Sequence, residues 1–211
     1  MKHEWKKHEK EFYVPKNKPE ARAIPTFNFF TIEGKGNPNN EFFGEYIGVL
    51  YSLAYAIKMS PKKGITPKGY FEYTVYPLEG VWDISEEAKK SYDGTLNKDE
   101  LLFKLMIRQP DFVTEEFAEQ VIANTKKSKP HELLNQVKFE QIEEGPSVQM
   151  LHIGSYDNEP ASFQQMEAYT KTNGLRRKCM THREIYLSDV RKVEPEKLKT
   201  VLRFQTEPNS N

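Results

Sequence analysis

The sequence predicts an α+β protein made of two fused strand-helix-strand-strand repeats. Runs of aromatic and β-branched residues, typical of strands, are followed by stretches with apolar residues at helical spacing. This order occurs twice, each time with a turn rich in Gly, Asn or Pro before the helix. We expect pseudo-twofold symmetry, with an antiparallel sheet, helices on one face and a ligand cleft on the other. The alternative is an α+β domain whose halves are similar by coincidence.

Each element of the first repeat has a local signal. The predicted segments are an N-terminal arm over 1–25, strand 27–33, a helix from Phe42 to Ile57, strands 70–76, 79–84 and 101–108, and a helix that begins after Thr114. Pro15, Pro19 and Pro25 interrupt the arm, and the stretch 83–99 is charged and turn-rich.

The second repeat follows the same order. The predicted segments are strand 148–153, a helix that begins at Pro160 and ends before Gly174, and strands 180–187 and 200–205. The predicted domain organisation is an arm over 1–25 and a single domain over 26–211, with repeat one over 26–112, a connecting helix over 113–130 and repeat two over 137–207.

Composition excludes several classes of protein. The chain has 211 residues, 31 Lys and Arg against 31 Asp and Glu, and 12% aromatic residues. The aromatic content argues against disorder, and the zero net charge argues against a nucleic-acid partner. The N-terminus lacks the apolar region of a secretory signal, and charged residues and glycines interrupt the most apolar stretch. These features predict a cytoplasmic protein without a membrane span.

Strand 180–187 carries the most informative pattern. Because side chains alternate along a strand, His182, Glu184 and Tyr186 share one face, while Ile185 and Leu187 share the other. We expect the apolar face to pack on the helices, so that Glu184 and Tyr186 point into the cleft. A partly desolvated carboxylate suits a general base or a partner for a cation. An ordinary strand with a solvated polar face is the alternative.

Aromatic residues cluster around the predicted strands of repeat one. Tyr76, Trp82 and Phe112 are examples, and each is by itself consistent with a core residue. Together they suggest aromatic faces around a carboxylate, which would bind flat or cationic organic molecules. The single cysteine, Cys179, lies near His182 and Glu184, but the paired cysteines of a zinc site are missing. We therefore expect neither a metal nor a cofactor.

Several motifs identify the chain as similar to the GyrI-like small-molecule-binding proteins over most of its length. The matching segments are 182–189, 194–203, 77–82, 105–112 and 4–10. The resemblance implies two fused repeats with a ligand cleft, and a pocket glutamate at Glu184 with Trp82 in an aromatic wall. We also expect Tyr76, Met106 and Phe112, in or next to these motifs, to line the ligand site. The chain differs from the family's transcriptional sensors, because its arm leaves no room for a recognition helix, and it has Val190 where similar sequences often carry proline.

The resemblance implies three possible functions. A stand-alone branch of similar proteins hydrolyses the cyclopropane of DNA-alkylating cyclopropanoid compounds, so Glu184 would activate water and Tyr186 would stabilise the developing phenolate. The alternative is a non-catalytic protein that sequesters lipophilic or cationic drugs, and a second alternative is a gyrase-interacting protein. In the first two cases the partner is a flat aromatic or lipophilic small molecule. We expect a monomer or a weak dimer.

Overall fold

The computed structural model describes residues 2–90 and 97–209. The helices are α1 (Trp5–His8), α2 (Lys10–Tyr13), α3 (Phe42–Lys58), α4 (Glu86–Lys90), α5 (Glu115–Ser128) and α6 (Glu159–Thr172). The strands are β1 (Glu20–Ile24), β2 (Phe27–Lys35), β3 (Leu78–Ile84), β4 (Leu101–Gln109), β5 (Lys138–Ile142), β6 (Gly145–Ile153), β7 (Leu175–Arg177), β8 (His182–Tyr186) and β9 (Lys199–Pro208). Within these residues, no helix combines the length and hydropathy that crossing a membrane requires.

The chain divides into two compact units. Unit 1 contains Met1–His3 and Phe27–Ile142, and unit 2 contains Glu4–Thr26 and Glu143–Asn211. The mixed α+β class and the antiparallel pairing predicted from the sequence are confirmed. Residues 1, 91–96, 210 and 211, which belong to the predicted arm, turn-rich stretch and domain, lie outside the described residues.

Unit 1 is an antiparallel sheet in the order β3-β4-β2-β5, with α3 packed against β2 and β4. Helix α3 forms because apolar residues recur at helical spacing, and Val49, Leu50, Leu53, Ala54 and Ile57 are all buried. Helix α5 begins after Thr114, whose hydroxyl accepts a hydrogen bond from the backbone N–H of Phe117 at 3.2 Å.

Unit 2 is an antiparallel sheet in the order β1-β6-β9-β8, and β7 pairs with the end of β9. One face packs on α6 through a core of Val148, Met150, Met166, Leu202 and Phe204. In each unit, the sheet therefore contains a strand that precedes the helix and two strands that follow it. These are β2, β3 and β4 around α3, and β6, β8 and β9 around α6. The pseudo-twofold relation between the units stays a prediction.

The opposite face of the unit 2 sheet is covered by the N-terminal segment. Arg203 donates a hydrogen bond to the backbone carbonyl of Phe12 at 2.6 Å, and the amide of Gln149 donates one to the carbonyl of Glu11. Rings of Trp5 and Tyr13 are buried with their centroids 5.4 Å apart. Both faces of this sheet are consequently buried, so its strands do not follow a simple pattern of apolar inside and polar outside.

Three segments differ from the sequence-based expectation. The predicted strand 70–76 is wrong: apart from an isolated bridge between His3 and Tyr73, this segment is irregular. Its aromatic side chains pack on the ring of Phe112 instead of forming a ladder of strand pairs. Strands β1 and β5 were not predicted, because each has only five residues, of which two in β1 and three in β5 are charged or polar.

Candidate functional site

The candidate site lies in unit 2, where β8 meets the first turn of α6. Strand β8 places Glu184 and Tyr186, and α6 places Glu159 at its first position. A 3-10 turn over Tyr156–Asn158 leads into this helix. Pro160 occupies the second helical position, where its missing N–H leaves no helical hydrogen bond unmade.

A buried hydrogen-bond chain fixes the turn that carries Tyr156. The two ring nitrogens of His152 contact the hydroxyl of Ser162 at 2.9 Å and the backbone carbonyl of Ser155 at 3.0 Å. Since the carbonyl only accepts, Nε2 carries a proton and donates it to the carbonyl, while Nδ1 is hydrogen-bonded to the serine hydroxyl. His152 thus ties the end of β6, the turn and the helix together.

Two carboxyl groups are in direct contact at the centre of the site. Glu159 and Glu184 are hydrogen-bonded to each other, and their exposed fractions are only 6% and 8%. On its other side, Oε1 of Glu184 lies 3.0 Å from Nε2 of His182. The ring of Phe163 packs edge-on against His182 at a centroid distance of 4.7 Å. Glu184 is therefore held between a carboxyl and an imidazole.

The electrostatics of Glu159 and Glu184 favour a state in which the two carboxyl groups hold one proton between them. Burial, and then the charge and hydrogen bond of Glu184 and the charge of Asp157, raise the pKa of Glu159 to about 10. The positive end of α6 favours an anion at this position by only about 0.3–1 kcal/mol. A single pKa unit corresponds to about 1.4 kcal/mol, so the helix dipole is the smaller effect. At neutral pH Glu159 is therefore neutral.

Two tyrosines border the carboxyl pair. The rings of Tyr156 and Tyr186 meet edge to face, with centroids 6.0 Å apart. Burial, followed by the charges of Glu184 and Glu159, raises the pKa of Tyr156, so its phenol stays protonated at neutral pH and can donate a hydrogen bond. Tyr156 is 38% exposed, and Tyr186 is half-buried. The tyrosines thus offer aromatic surface and a hydroxyl donor beside a buried carboxylate.

Glu159, His182 and Glu184 are also the described residues that could hold a metal ion. Each offers one ligand atom, and these atoms lie within 4.8 Å of one another. Two of the contacts among the three residues are hydrogen bonds, from Glu159 to Glu184 and between Glu184 and His182. A metal would have to displace the proton between the carboxyls, so the arrangement fits a hydrogen-bonded carboxyl pair better. The sequence-based expectation of no metal stays a prediction.

Glu184 lies on a different face of the sheet from the one predicted. It pairs with Leu202 of β9, which belongs to the core under α6, so the polar face of β8 is the helix-facing one. Ile185 pairs with Val201 on the face opposite, which the N-terminal segment covers. The prediction assumed that one face would be exposed, but both are buried. His182, Glu184 and Tyr186 nevertheless share a face, as predicted.

The four residues predicted to line the ligand site belong to unit 1. Trp82 packs with Phe43 and Phe103 on the α3 side of the sheet. Met106, opposite Glu79 in the strand register, lies on the other face. All four are buried.

The other two predicted wall residues have aromatic or cationic neighbours. Tyr76 lies over the guanidinium of Arg108 at 4.5 Å, and Phe112 packs against Tyr70, Phe71 and Tyr73. Trp82 and Met106 thus do not form one continuous wall within unit 1, whereas Tyr76 and Phe112 are linked through Tyr73. Their roles in ligand binding stay predictions.

Sequence reasoning missed Glu159 and Tyr156. Both occur in the turn Gly154–Pro160, which was interpreted only as a turn before a helix. A glutamate directly before a helix-initiating proline is ordinary, because acidic residues are common in the first turn. Its contact with Glu184 joins residues 25 positions apart, and no local pattern indicates it.

Comparison with known proteins gives a consistent picture. The family model described as "GyrI-like small molecule binding domain" matches residues 17–205. A protein described as a hydrolase from Listeria innocua is 39% identical, with a TM-score of 0.87 over 98% of this chain and 100% of that chain. A hydrolase encoded by lin2189 of Listeria innocua is 40% identical, with a TM-score of 0.89 and the same coverage. No curated protein matches the chain significantly.

A more distant likeness concerns the fold alone. The C-terminal domain of EcmrR is 14% identical and has a TM-score of 0.52 over 90% of this chain and 98% of that domain.

Proposed function

The chain belongs to the GyrI-like family of small-molecule-binding domains, and from this premise we propose that it detoxifies electrophilic cyclopropanoid compounds by hydrolysis. The observation that carries the proposal is Glu184, a buried carboxylate held in place by His182 and Glu159 beside two tyrosines. Two similar solved structures, 39% and 40% identical, are described as hydrolases, which supports an enzyme over a passive binder.

The substrate's reactive group is a cyclopropane conjugated to a dienone. Glu184 takes a proton from a water molecule as the water oxygen bonds to a cyclopropane carbon. The bond from the attacked carbon to the cyclopropane carbon conjugated with the dienone breaks, and its electron pair moves through the dienone to the carbonyl oxygen, giving a phenolate. The proton that Glu184 accepted returns through solvent to this oxygen, so the product is the substrate plus one water.

The tyrosines contribute to the same step. A phenol of Tyr186 or Tyr156 donates a hydrogen bond to the oxygen on which negative charge develops, and the interaction strengthens as the bond breaks. Their rings offer a flat surface for stacking on a planar ligand. Because ring opening releases strain, holding water and substrate in line accounts for much of the acceleration.

Exchange of the carboxylate tests the proposal. Glu184→Gln keeps the size of the side chain but removes the base, so we expect turnover of a cyclopropanoid alkylator to fall by about 100-fold or more. Tyr186→Phe keeps the ring but loses the hydroxyl, so turnover falls while the ligand still binds. Glu119→Gln, an exposed exchange of the same type on α5, serves as the matched control and leaves turnover unchanged. Wild-type turnover that survives in Glu184→Gln contradicts the assignment.

Sequestration of cationic drugs is the second candidate function. A carboxylate beside aromatic rings also suits a lipophilic cation. Tetraphenylphosphonium and the neutral triphenylphosphine oxide separate the two functions when binding is measured by calorimetry. Selective binding of the cation that Glu184→Gln abolishes, together with no turnover of a cyclopropanoid, would favour sequestration. Turnover of a neutral cyclopropanoid without preference for the cation favours hydrolysis.

A further inference from the structure

The contact between Glu159 and Glu184 requires a proton. An ionised carboxylate has only acceptor oxygens, so two carboxyl groups form a hydrogen bond only if one of them is protonated. The two groups are hydrogen-bonded, their ligand atoms lie within 4.8 Å of each other, and both residues are more than nine-tenths buried. The structure is therefore consistent with one proton shared within the pair.

The surroundings indicate which glutamate holds that proton. Glu184 is contacted from two sides, by Glu159 and by Nε2 of His182, and both neighbours can carry a proton that is donated to it. Oε1 of Glu159, in contrast, is buried without a hydrogen-bond partner. The titratable groups that face Glu159 are Glu184 and His182 from β8, and Asp157 and Tyr156 from the preceding turn. A second negative charge on Glu159 would be almost fully buried and close to the carboxylates of Glu184 and Asp157.

We propose that Glu159 is a positioning residue that holds one proton and thereby keeps Glu184 ionised, oriented and the single negative charge of the site. This inference rests on the proposed function only in so far as Glu184 is the functional carboxylate. It defines the ligand class more narrowly: the site accepts one positive charge, or one neutral electrophile with its attacking water, and does not suit a dication. Protonated Glu159 does not itself touch the substrate.

The dependence on pH follows from the raised pKa of Glu159. Its folded-state pKa of about 10 lies above the ordinary value of about 4.5 that it regains on unfolding. Between these values the folded protein binds more protons than the unfolded chain, so this group's contribution to stability declines as pH rises. Near pH 10 the proton leaves, the hydrogen bond to Glu184 is lost, and turnover declines.

Carboxyl NMR tests the inference without depending on turnover. In wild-type protein labelled with carbon-13 at the glutamate carboxyl, we expect one resonance that titrates far above pH 7. This resonance should be absent from Glu159→Gln and present in Glu119→Gln. In Glu184→Gln it should titrate at lower pH, because the neighbouring charge is gone. The inference is overturned if every glutamate titrates in the ordinary acidic range, or if the alkaline resonance survives in Glu159→Gln.

Two further measurements separate positioning from a merely structural role. The amide of Glu159→Gln donates the same hydrogen bond without titrating, so this variant should lose the alkaline decline and retain more turnover than Glu159→Leu, which lacks the donor. In urea unfolding, the wild type should lose more stability between pH 6 and pH 9 than Glu159→Gln does. Loss of turnover in Glu159→Gln with an unchanged pH slope of stability contradicts the inference.

Tight binding of Zn²⁺ by the wild type, abolished in Glu159→Gln, would also overturn the inference in favour of a metal site.

Discussion

Two buried glutamates of unit 2 show how neighbours decide the state of one residue type. Burial opposes ionisation of Glu144, but Arg183 and Arg203 together outweigh it and hold the pKa of Glu144 below its ordinary value. Burial also acts on Glu159, whose neighbours are negative, and the pKa rises. Glu144 is therefore a permanent ion-pair partner, whereas Glu159 retains a proton. The first arrangement stabilises the fold and the second prepares a site.

Arg203 gives a prediction at the residue scale. Its guanidinium donates to Glu144 at 2.9 Å, to the amide oxygen of Gln149 at 2.8 Å and to the carbonyl of Phe12 at 2.6 Å. Arg203→Met removes these three hydrogen bonds and leaves the buried Glu144 with Arg183 as its remaining ion-pair partner, so it should lower the free energy of unfolding by about 3–5 kcal/mol in urea denaturation. The control is Arg176→Met, since the Arg176 ion pair with Glu207 is half exposed and should be worth about 0–1 kcal/mol. Equal losses in the two variants would contradict this account.

At the scale of single residues, the sequence predicted only those features that have a local pattern. Alternation along one strand was enough to group His182, Glu184 and Tyr186. Alternation could not show which face is which, because the N-terminal segment covers the face that the prediction assigned to helices. Nor could it find Glu159, whose role depends on a contact between β8 and α6.

The elements of unit 1 depend on close packing between β2 and α3. Gly34 of β2 lies opposite Phe103 of β4, whose ring packs against Tyr46 of α3 and against Trp82. The absence of a side chain at Gly34 makes room for this ring. The aromatic cluster and the glycine thus fit each other, and the sheet and the helix approach closely at this point.

Gly34→Ala tests this packing. An added Cβ would overlap the ring of Phe103 and come within 3.0 Å of Tyr46, so we expect a loss of about 1–3 kcal/mol. The matched control is Gly44→Ala within α3, where nothing lies within 4 Å of the new Cβ and helix propensity should add up to about 1 kcal/mol. Thermal unfolding of both variants gives the comparison. An unchanged melting temperature for Gly34→Ala would show that the cluster adapts.

Elements with strong periodicity were predictable and irregular ones were not. Helix α3 and strands β2, β4, β6 and β9 follow from segments that are rich in apolar residues. The segment 70–76 has a strand-like composition, but its aromatic side chains are held by Phe112 and not by strand pairing. Tertiary contacts overrode β propensity there.

At the scale of the whole molecule, the repeated order of elements indicated the fold. This order can be recognised along the sequence without knowing which distant residues are in contact. The mixed α+β class and the family membership agree with that reading. The charges balance, with 31 basic and 31 acidic residues, so specificity has to come from local groups and not from net charge. These local groups are Glu159 and Glu184, and only the contact between α6 and β8 identifies them.

Hydrolysis in water labelled with oxygen-18 tests the central claim most directly. Wild-type protein is incubated with a cyclopropanoid alkylator, and the products are measured by mass spectrometry beside a sample without protein. The account predicts a ring-opened product with one oxygen-18, formed in many equivalents per protein molecule because Glu184 returns its proton after each turnover. Intact compound recovered with the protein, or a single equivalent bound covalently to it, would contradict catalysis and identify the chain as a binder.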